Sequence, residues 1–286
     1  MSNPSVTQAV STELVSLAKR YLRGLTDPIR YRLRVHFQPR ENRIYTQFFR
    51  FPNQCDVLVE HLLPQLLAAR PVTAEQPLEI AVFACCSGEE AYTLAYALAT
   101  RAPGLPVRIR GYDIVPEVVA QAKAGSYTRE HVYSSPFASD ELVAGLFDVR
   151  GDTLTVKPQF SSLVSFDIGD ITDAVAMGRL QRSDLVFAQN VLFHLPRPVA
   201  KRAFDNLVTV LRPGGALFVN GMDTDMRAKL SKEHGLEPVT QRIEEIHEDA
   251  RVDRGAHWAN SYWGREPLKR SGDWVRKYCT IYSKKS

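Results

Sequence analysis

From Leu78 onward the chain alternates short apolar runs with amphipathic helical stretches, and few folds other than a mostly parallel sheet covered by helices accept that rhythm. Leu78 to Ala84 is a continuous apolar run with one Glu, the pattern of a strand buried on both faces. Glu89 to Thr100 repeats apolar residues at helical period through Tyr92, Leu94, Ala95 and Leu98. Further strands are expected at Val107 to Tyr112, Leu163 to Phe166, Asp184 to Ala188 and Ala216 to Asn220. Pro116 opens a helix that runs to Ala124, and Ala200 to Leu211 forms another that stops at Arg212-Pro213-Gly214-Gly215. The expected fold class is α/β, with a doubly wound, mostly parallel sheet.

Three regions stand outside this rhythm. Residues 1–70 read as an N-terminal helical segment: Thr7 to Leu25, an Arg-rich stretch with Arg30, Arg32, Arg34 and Arg40, then Cys55 to Ala69. Residues 71–286 read as the main domain, with a small insertion at about 127–162 and an aromatic-rich C-terminal extension at about 237–275. In that extension a helix is expected from Gln241 to Arg251, and a last strand from Trp274 to Tyr282.

Composition narrows the partners. A net charge of +4 tolerates an anionic ligand and is too small to indicate nucleic acid. No run approaches the roughly 20 apolar residues of a membrane span, and Met1 to Arg20 has no secretory pattern, so the expected location is cytoplasmic, away from membranes. Cys55, Cys85, Cys86 and Cys279 have neither Cys-x-x-Cys nor Cys/His zinc spacing. Free thiols are expected, and no metal.

The turn after the first strand, Cys85-Cys86-Ser87-Gly88-Glu89-Glu90, lies where an open α/β sheet binds nucleotide-like ligands. Gly88 lets a ligand approach the backbone. The absence of Gly-x-Gly-x-x-Gly makes a nicotinamide oxidoreductase a poor fit. Two carboxylates at the helix start would repel a pyrophosphate and suit a ligand bearing an ammonium or sulfonium; equally, they could serve only the helix dipole. Asp113 ends the second strand about 25 residues beyond Gly88, close to where such folds place an acid on ribose hydroxyls. Asp170 can accept from an exocyclic amine such as adenine N6, and Asn190-Val191 closes the fourth strand at the same sheet edge.

These motifs together resemble the CheR-type, chemotaxis-receptor glutamate methyltransferases, which use S-adenosyl-L-methionine. Thr46-Gln47-Phe48-Phe49-Arg50 matches that family's Thr-x-Phe-Phe-Arg, and Cys86 to Tyr92 is similar to its Ser-Thr-Gly-Glu-Glu-Pro-Tyr. Tyr112-Asp113-Ile114, Ala124-Gly125-Ser126-Tyr127, Asp170-Ile171, Gln189-Asn190-Val191 and Leu211 to Gly215 follow in the family's order. The resemblance runs from about Tyr45 to Asn220. It implies a class I methyltransferase fold, Rossmann-like and seven-stranded, and S-adenosyl-L-methionine as cofactor with S-adenosyl-L-homocysteine as product.

Carried over residue by residue, the resemblance has Thr46 and Arg50 reach the cofactor's methionine end or the substrate, and puts Glu90 by the methionine moiety, with Gly88 also in the cofactor set. It puts Asp113 and Ile114 on the ribose, Asp170 and Ile171 near the adenine, and Asn190 and Val191 beside the cofactor. Asn206 and Leu207 on the next helix join the cofactor set. The acceptor it implies is a carboxylate, a protein glutamyl group or a small acid, which needs no base at pH 7 and which Arg50 can orient. The chain departs from the family at Gln189, where Arg is usual, and at His194, where Tyr is usual. His194 opens an alternative, general-base catalysis on a small-molecule oxygen or nitrogen. A non-catalytic S-adenosylmethionine-binding protein is the other alternative. The expected acceptor site comprises Arg50, His194 and the aromatic residues Trp258, Tyr262 and Trp263.

Overall fold

Leu78–Phe83 (β1) is buried at every position, as its unbroken apolar run requires. The computed structural model describes residues 46–259, 268, 270 and 272–286; the expected helix from Thr7 to Leu25 and the Arg-rich stretch lie outside them. The first described helix, α1 (Pro52–Val57), widens to a π turn over Leu58–Leu62 before α2 (Leu63–Ala69). Pro64 has no N–H to give to the turn before it, which accounts for the widening.

After β1 come α3 (Glu89–Arg101), β2 (Val107–Asp113) and α4 (Pro116–Ala124). The insertion then supplies β3 (Ser126–Thr128), α5 (Arg129–Tyr133), α6 (Asp140–Leu146), β4 (Phe147–Arg150), β5 (Thr153–Val156) and α7 (Pro158–Ser161). The alternation resumes with β6 (Val164–Ile168), α8 (Ala174–Arg179), β7 (Ser183–Ala188), α9 (Arg197–Val210) and β8 (Leu211–Val219). The chain ends with α10 (Thr224–Glu233), β9 (Leu236–Pro238), α11 (Ile243–Ala259), α12 (Trp274–Tyr278) and β10 (Ile281–Lys284).

The main sheet has seven strands in the order β6-β2-β1-β7-β8-β10-β9. β10 runs antiparallel to both neighbours, and the five strands from β6 to β8 pair in parallel. Alternate side chains enter two cores. Ile80, Val82, Leu185 and Phe187 pack against α3 and the insertion, while Ala81, Phe83, Val186 and Ala188 pack against α9. Strands β3, β5 and β4 form a separate three-stranded antiparallel sheet.

Glu79, the one acid in the β1 run, sits at the amino edge, 2% exposed and bonded to Arg108, Arg110 and Gln181. Asp184 beside it is held by Arg70 and Arg212. This paired cluster closes the end of the sheet opposite the candidate site.

Two sequence expectations are corrected. Trp274 to Tyr278 is helix, and the strand begins only at Ile281. The β-branched and aromatic composition there is satisfied by helical packing, with Tyr278 edge-on to His247 of α11. Helix α9 stops at Val210 as expected, but Arg212 to Gly215 already belongs to β8, which begins at Leu211 and not at Ala216. A register shift against β7 between Ser183 and Leu185 absorbs it, and a Cβ on Gly215 would fall 2.4 Å from the Asp184 carbonyl oxygen. No helix among the described residues is long and apolar enough to cross a membrane.

Candidate active site

The carboxyl ends of β1, β2, β6 and β7 carry the loops that the sequence singles out. After β1 the backbone is left-handed at Ala84 (φ 53), Cys86 (φ 49) and Gly88 (φ 96). Such a conformation costs a non-glycine residue on the order of 1–3 kcal/mol, so the turn needs outside support. Cys86 N donates to Asp113 Oδ2 at 2.9 Å, Gly88 N to the Cys85 carbonyl at 2.9 Å, and Tyr127 Oη to the Ser87 carbonyl at 2.5 Å. A Cβ on Gly88 would lie 2.9 Å from Phe166 Cζ, so the position is closed to larger residues.

The two carboxylates of the α3 start are divided between structure and site. Glu89 is fully buried, and its Oε1 accepts from Ser87 Oγ at 2.5 Å and lies 2.7 Å from His131 Nε2. Its hydrogen bond raises the His131 pKa, against partial burial. Glu90 turns the other way, into a narrow pocket shared with Arg50, Phe51, Gln54, Cys55, Leu58, Thr93, Leu94 and Phe187. Burial pushes the Glu90 carboxyl up to about 7, and the Arg50 guanidinium only partly opposes it. Asp113 is also raised by burial, against the pull of backbone N–H groups from Cys86, Val115 and Ile114. Ile114 itself is half-buried at the end of β2.

The Thr46 to Arg50 segment lies across α3. Phe48 is fully buried and meets Tyr127 and Phe147 edge-on at 4.8 and 5.0 Å. Phe49 N donates to Thr93 Oγ1 at 3.0 Å. Phe49 (φ 57) and Phe51 (φ 56) are both left-handed, and Arg50 between them lies 5.7 Å from the Phe51 ring centre. Thr46 is half-buried at the start of the segment.

On the other side of β1, Asp170 Oδ1 accepts from Thr172 N and Thr172 Oγ1, both at 2.8 Å, which turns the loop after β6. Ile171 in that loop is buried, and its carbonyl accepts from Asn206 Nδ2 at 2.8 Å. Asn206 thus meets the loop from beneath. Leu207, expected in the cofactor set with Asn206, is fully buried in the core shared with Phe204 and Val186.

Asn190 is left-handed (φ 53), and its N–H donates to the Asn220 carbonyl at 3.2 Å. Val191 leads into a single helical turn, Leu192–His194, with His194 half-buried and its ring 4.0 Å from Phe193. Gln189 is drawn inward: its Nε2 donates to Gln54 Oε1 at 2.5 Å, and Gln54 Nε2 donates to Thr280 Oγ1 at 2.8 Å. Trp258 falls within α11, with its side chain outside the described set, and Tyr262 and Trp263 lie outside the described residues altogether. Among the described residues no group of three or more His, Cys, Asp or Glu could hold a metal ion.

Residues 45–238 match the family model for the CheR methyltransferase, SAM binding domain. The chain belongs to the CheR methyltransferase family. It is 31% identical over 190 residues to a "probable biofilm formation methyltransferase WspC" of Pseudomonas putida, covering 65% of this chain and 42% of that protein. A chemotaxis protein methyltransferase of Listeria innocua is 28% identical, with 62% of this chain and 63% of that one covered. Chemotaxis protein methyltransferase 1 of Pseudomonas aeruginosa is 31% identical, with 62% and 65% covered. The match therefore spans less than two thirds of each relative's own length.

The CheR cofactor, S-adenosylmethionine, fits the polar groups present. The edge holds carboxylates at Glu90, Asp113 and Asp170, and a guanidinium, Arg50, in the Glu90 pocket, groups of the kind that an ammonium, hydroxyls, an amine and a carboxylate require. Sequence reasoning missed His131, which locks Glu89, because nothing in the sequence brings the insertion beside the start of α3. It also missed Gln54 and Asp249, whose partners are distant in the chain.

Proposed function

We propose that this CheR family member transfers a methyl group from S-adenosylmethionine to a carboxylate, a protein glutamyl group or a small acid. The observation that carries the reading is the meeting of Arg50 and Glu90 in one narrow pocket beside the Gly88 turn. Bound S-adenosylmethionine would supply a methyl group already activated on a sulfonium, open to in-line displacement.

The chain's own residues then supply position and charge. Glu90 faces the cofactor's ammonium and sulfonium. Arg50 has five N–H donors, enough for the cofactor's α-carboxylate and the acceptor's carboxylate together. Asp113 retains acceptor capacity beyond its backbone partners for the ribose hydroxyls, and Gly88 admits the cofactor against the backbone. Asp170 and Ile171 line the adenine side, with Asn206 acting on that loop through the Ile171 carbonyl. Asn190 and Val191 flank the reacting end. A carboxylate acceptor is ionised at neutral pH, so no base is required.

The departures bear on the acceptor. Gln189 stands where the resemblance has Arg, and its amide nitrogen donates to Gln54, whose own amide nitrogen donates to Thr280. A second reading, methylation of a hydroxyl or amine, rests on His194 one helical turn past Asn190 at the same edge.

Incubation with methyl-labelled S-adenosylmethionine and a panel of glutamyl peptides, small carboxylic acids, phenols and amines decides between them. A carboxylate acceptor yields an ester that mild alkali cleaves to labelled methanol, and Arg50→Lys reduces its formation. Alkali-stable label that is lost in His194→Gln would replace the carboxylate reading with the second one. Failure to bind S-adenosylhomocysteine would remove both.

A further inference from the structure

The CheR family match ends at residue 238, yet the chain beyond it is built into the site's support. β10 lies between β8 and β9, and α11 packs against α1, the helix that follows Arg50 directly. Three contacts from this C-terminal segment converge on α1 and the π turn after it. Thr280 accepts from Gln54, Arg242 pairs with Asp56 and Glu60, and Asp249 receives Asn53.

The Asp249 contact fills a specific need. A helix start leaves backbone N–H groups without partners, usually met by a Ser, Thr, Asp or Asn side chain at the cap. The cap of α1 is Phe51, left-handed at φ 56, which offers no such acceptor. Asp249 supplies it from α11, with Oδ2 accepting from Asn53 N at 2.9 Å and Oδ1 from Asn53 Nδ2 at 3.0 Å. The carboxylate is 7% exposed, so water is a weak competitor for those two bonds. Its charge also sits at the favourable end of the helix dipole.

We propose that Asp249 is a positioning residue for Arg50. The segment Phe49-Arg50-Phe51 has a left-handed residue on each side of the arginine, and such a backbone persists only when both flanks are fixed. The upstream flank is fixed by Phe49 N on Thr93 Oγ1, and the downstream flank by Asn53 on Asp249. Loss of the downstream tether lets Phe51 return to ordinary backbone and swings the guanidinium away from Glu90. The segment beyond residue 238 thus acts on the cofactor's methionine end without touching it. This inference rests on the Arg50 role given under Proposed function.

Calorimetric titration of the full chain with S-adenosylhomocysteine tests it, using wild type, Asp249→Ala, Asp249→Asn, Arg50→Ala and the Arg50→Ala/Asp249→Ala double variant. Asp249→Ala is expected to weaken binding about ten-fold. Asp249→Asn, which keeps one acceptor oxygen and the side-chain shape, is expected to fall between it and wild type. On the Arg50→Ala background, Asp249→Ala is expected to add no further loss, because its effect passes through the missing guanidinium. A merely structural role would lower affinity equally on both backgrounds, and that result overturns the proposal. So does wild-type affinity in both Asp249 variants. If Asp249→Ala does not fold, Asp249→Asn alone decides: wild-type affinity refutes, an intermediate loss supports. Wild type that fails to bind S-adenosylhomocysteine overturns the functional reading itself, whereas binding wild type with neutral Asp249 variants overturns only this inference.

Discussion

At Glu90 burial and the Arg50 guanidinium pull in opposite directions, and burial prevails, holding the carboxyl at about 7. Half the ligand-free molecules therefore carry the proton at pH 7. A cation within a few ångströms lowers a carboxyl pKa by about 1–3. If S-adenosylmethionine brings Glu90 to about 5.5, binding at pH 7 releases close to half a proton, and affinity falls about eight-fold from pH 8 to pH 6. Glu90→Gln has no such linkage, and loss of the charge weakens its binding about ten-fold at pH 8. At pH 6 the two proteins converge, because wild type is mostly neutral there. Calorimetry in buffers of different ionisation enthalpy reads the protons directly. The ligand's own α-ammonium also titrates nearby, so the difference between wild type and Glu90→Gln is the relevant quantity. Stability moves the opposite way. A raised folded-state pKa means that the stabilising contribution is complete below 4.5 and lost as pH rises through about 7, a total of about 3 kcal/mol. Ligand-free Glu90→Gln should therefore melt higher than wild type at pH 8. Equal proton release in the two proteins, or a lower melting temperature for the variant, would refute the reasoning.

Three further outcomes follow from the same geometry. Asp113→Ala removes the acceptor for Cys86 N together with the ribose contact proposed for Asp113, and should weaken S-adenosylhomocysteine binding ten-fold or more, about 1.4 kcal/mol by calorimetry; unchanged affinity would remove Asp113 from the site. Gly88→Ala forces a side chain onto a φ of 96 and against Phe166, and should lower stability by about 1–3 kcal/mol in denaturant titration; a neutral result would mean that the turn relaxes freely. The hydrogen bond to Glu89 raises His131 above 6.5, so its stabilising contribution is complete below pH 6.5 and fades as pH climbs through the raised value. An NMR titration of the ring with a midpoint at or below 6.5 would contradict the pairing.

Much of the sheet was legible because burial on two faces leaves a plain trace. Leu78–Phe83 and Ser183–Ala188 are buried throughout, and their apolar runs say so. The C-terminal strand was misplaced because Trp274 to Tyr278 has strand-like composition in a helix that packing against α10 and α11 determines. Of the candidate site, Asp113 and the Gly88 turn were legible because chain order in a doubly wound sheet puts them at one edge. The Glu89-Glu90 pair was legible as chemistry and not as two roles. Successive helix residues point about 100° apart, and which one faces inward depends on where His131 of the insertion lands. The same rotation separates Asn206, which reaches the Ile171 carbonyl, from Leu207 in the core.

What remained hidden is backbone strain carried by residues other than glycine. Among the described residues, Phe49, Phe51, Ala84, Cys86, Asn190 and Arg242 are left-handed non-glycines, and the first five lie along the candidate site. Glycine marks such a conformation in a sequence; alanine, cysteine and phenylalanine do not. On the turn after β1 and around Arg50, partners far along the chain hold Cys86, its neighbour Ser87 and the Phe51 corner. Cys86 is held by Asp113, the Ser87 carbonyl by Tyr127, and the Phe51 corner by Asp249 acting through Asn53. The strain and its restraints form one cooperative set, so removing a restraint should move the ligand-facing groups before it unfolds the sheet. Substitutions at Tyr127 or Asp249 should therefore change ligand affinity by a larger factor than substitutions of equal thermal cost in the Glu79 and Asp184 clusters at the opposite edge. Equal affinity losses at matched melting temperature would mean that the strained loops are held by the core alone.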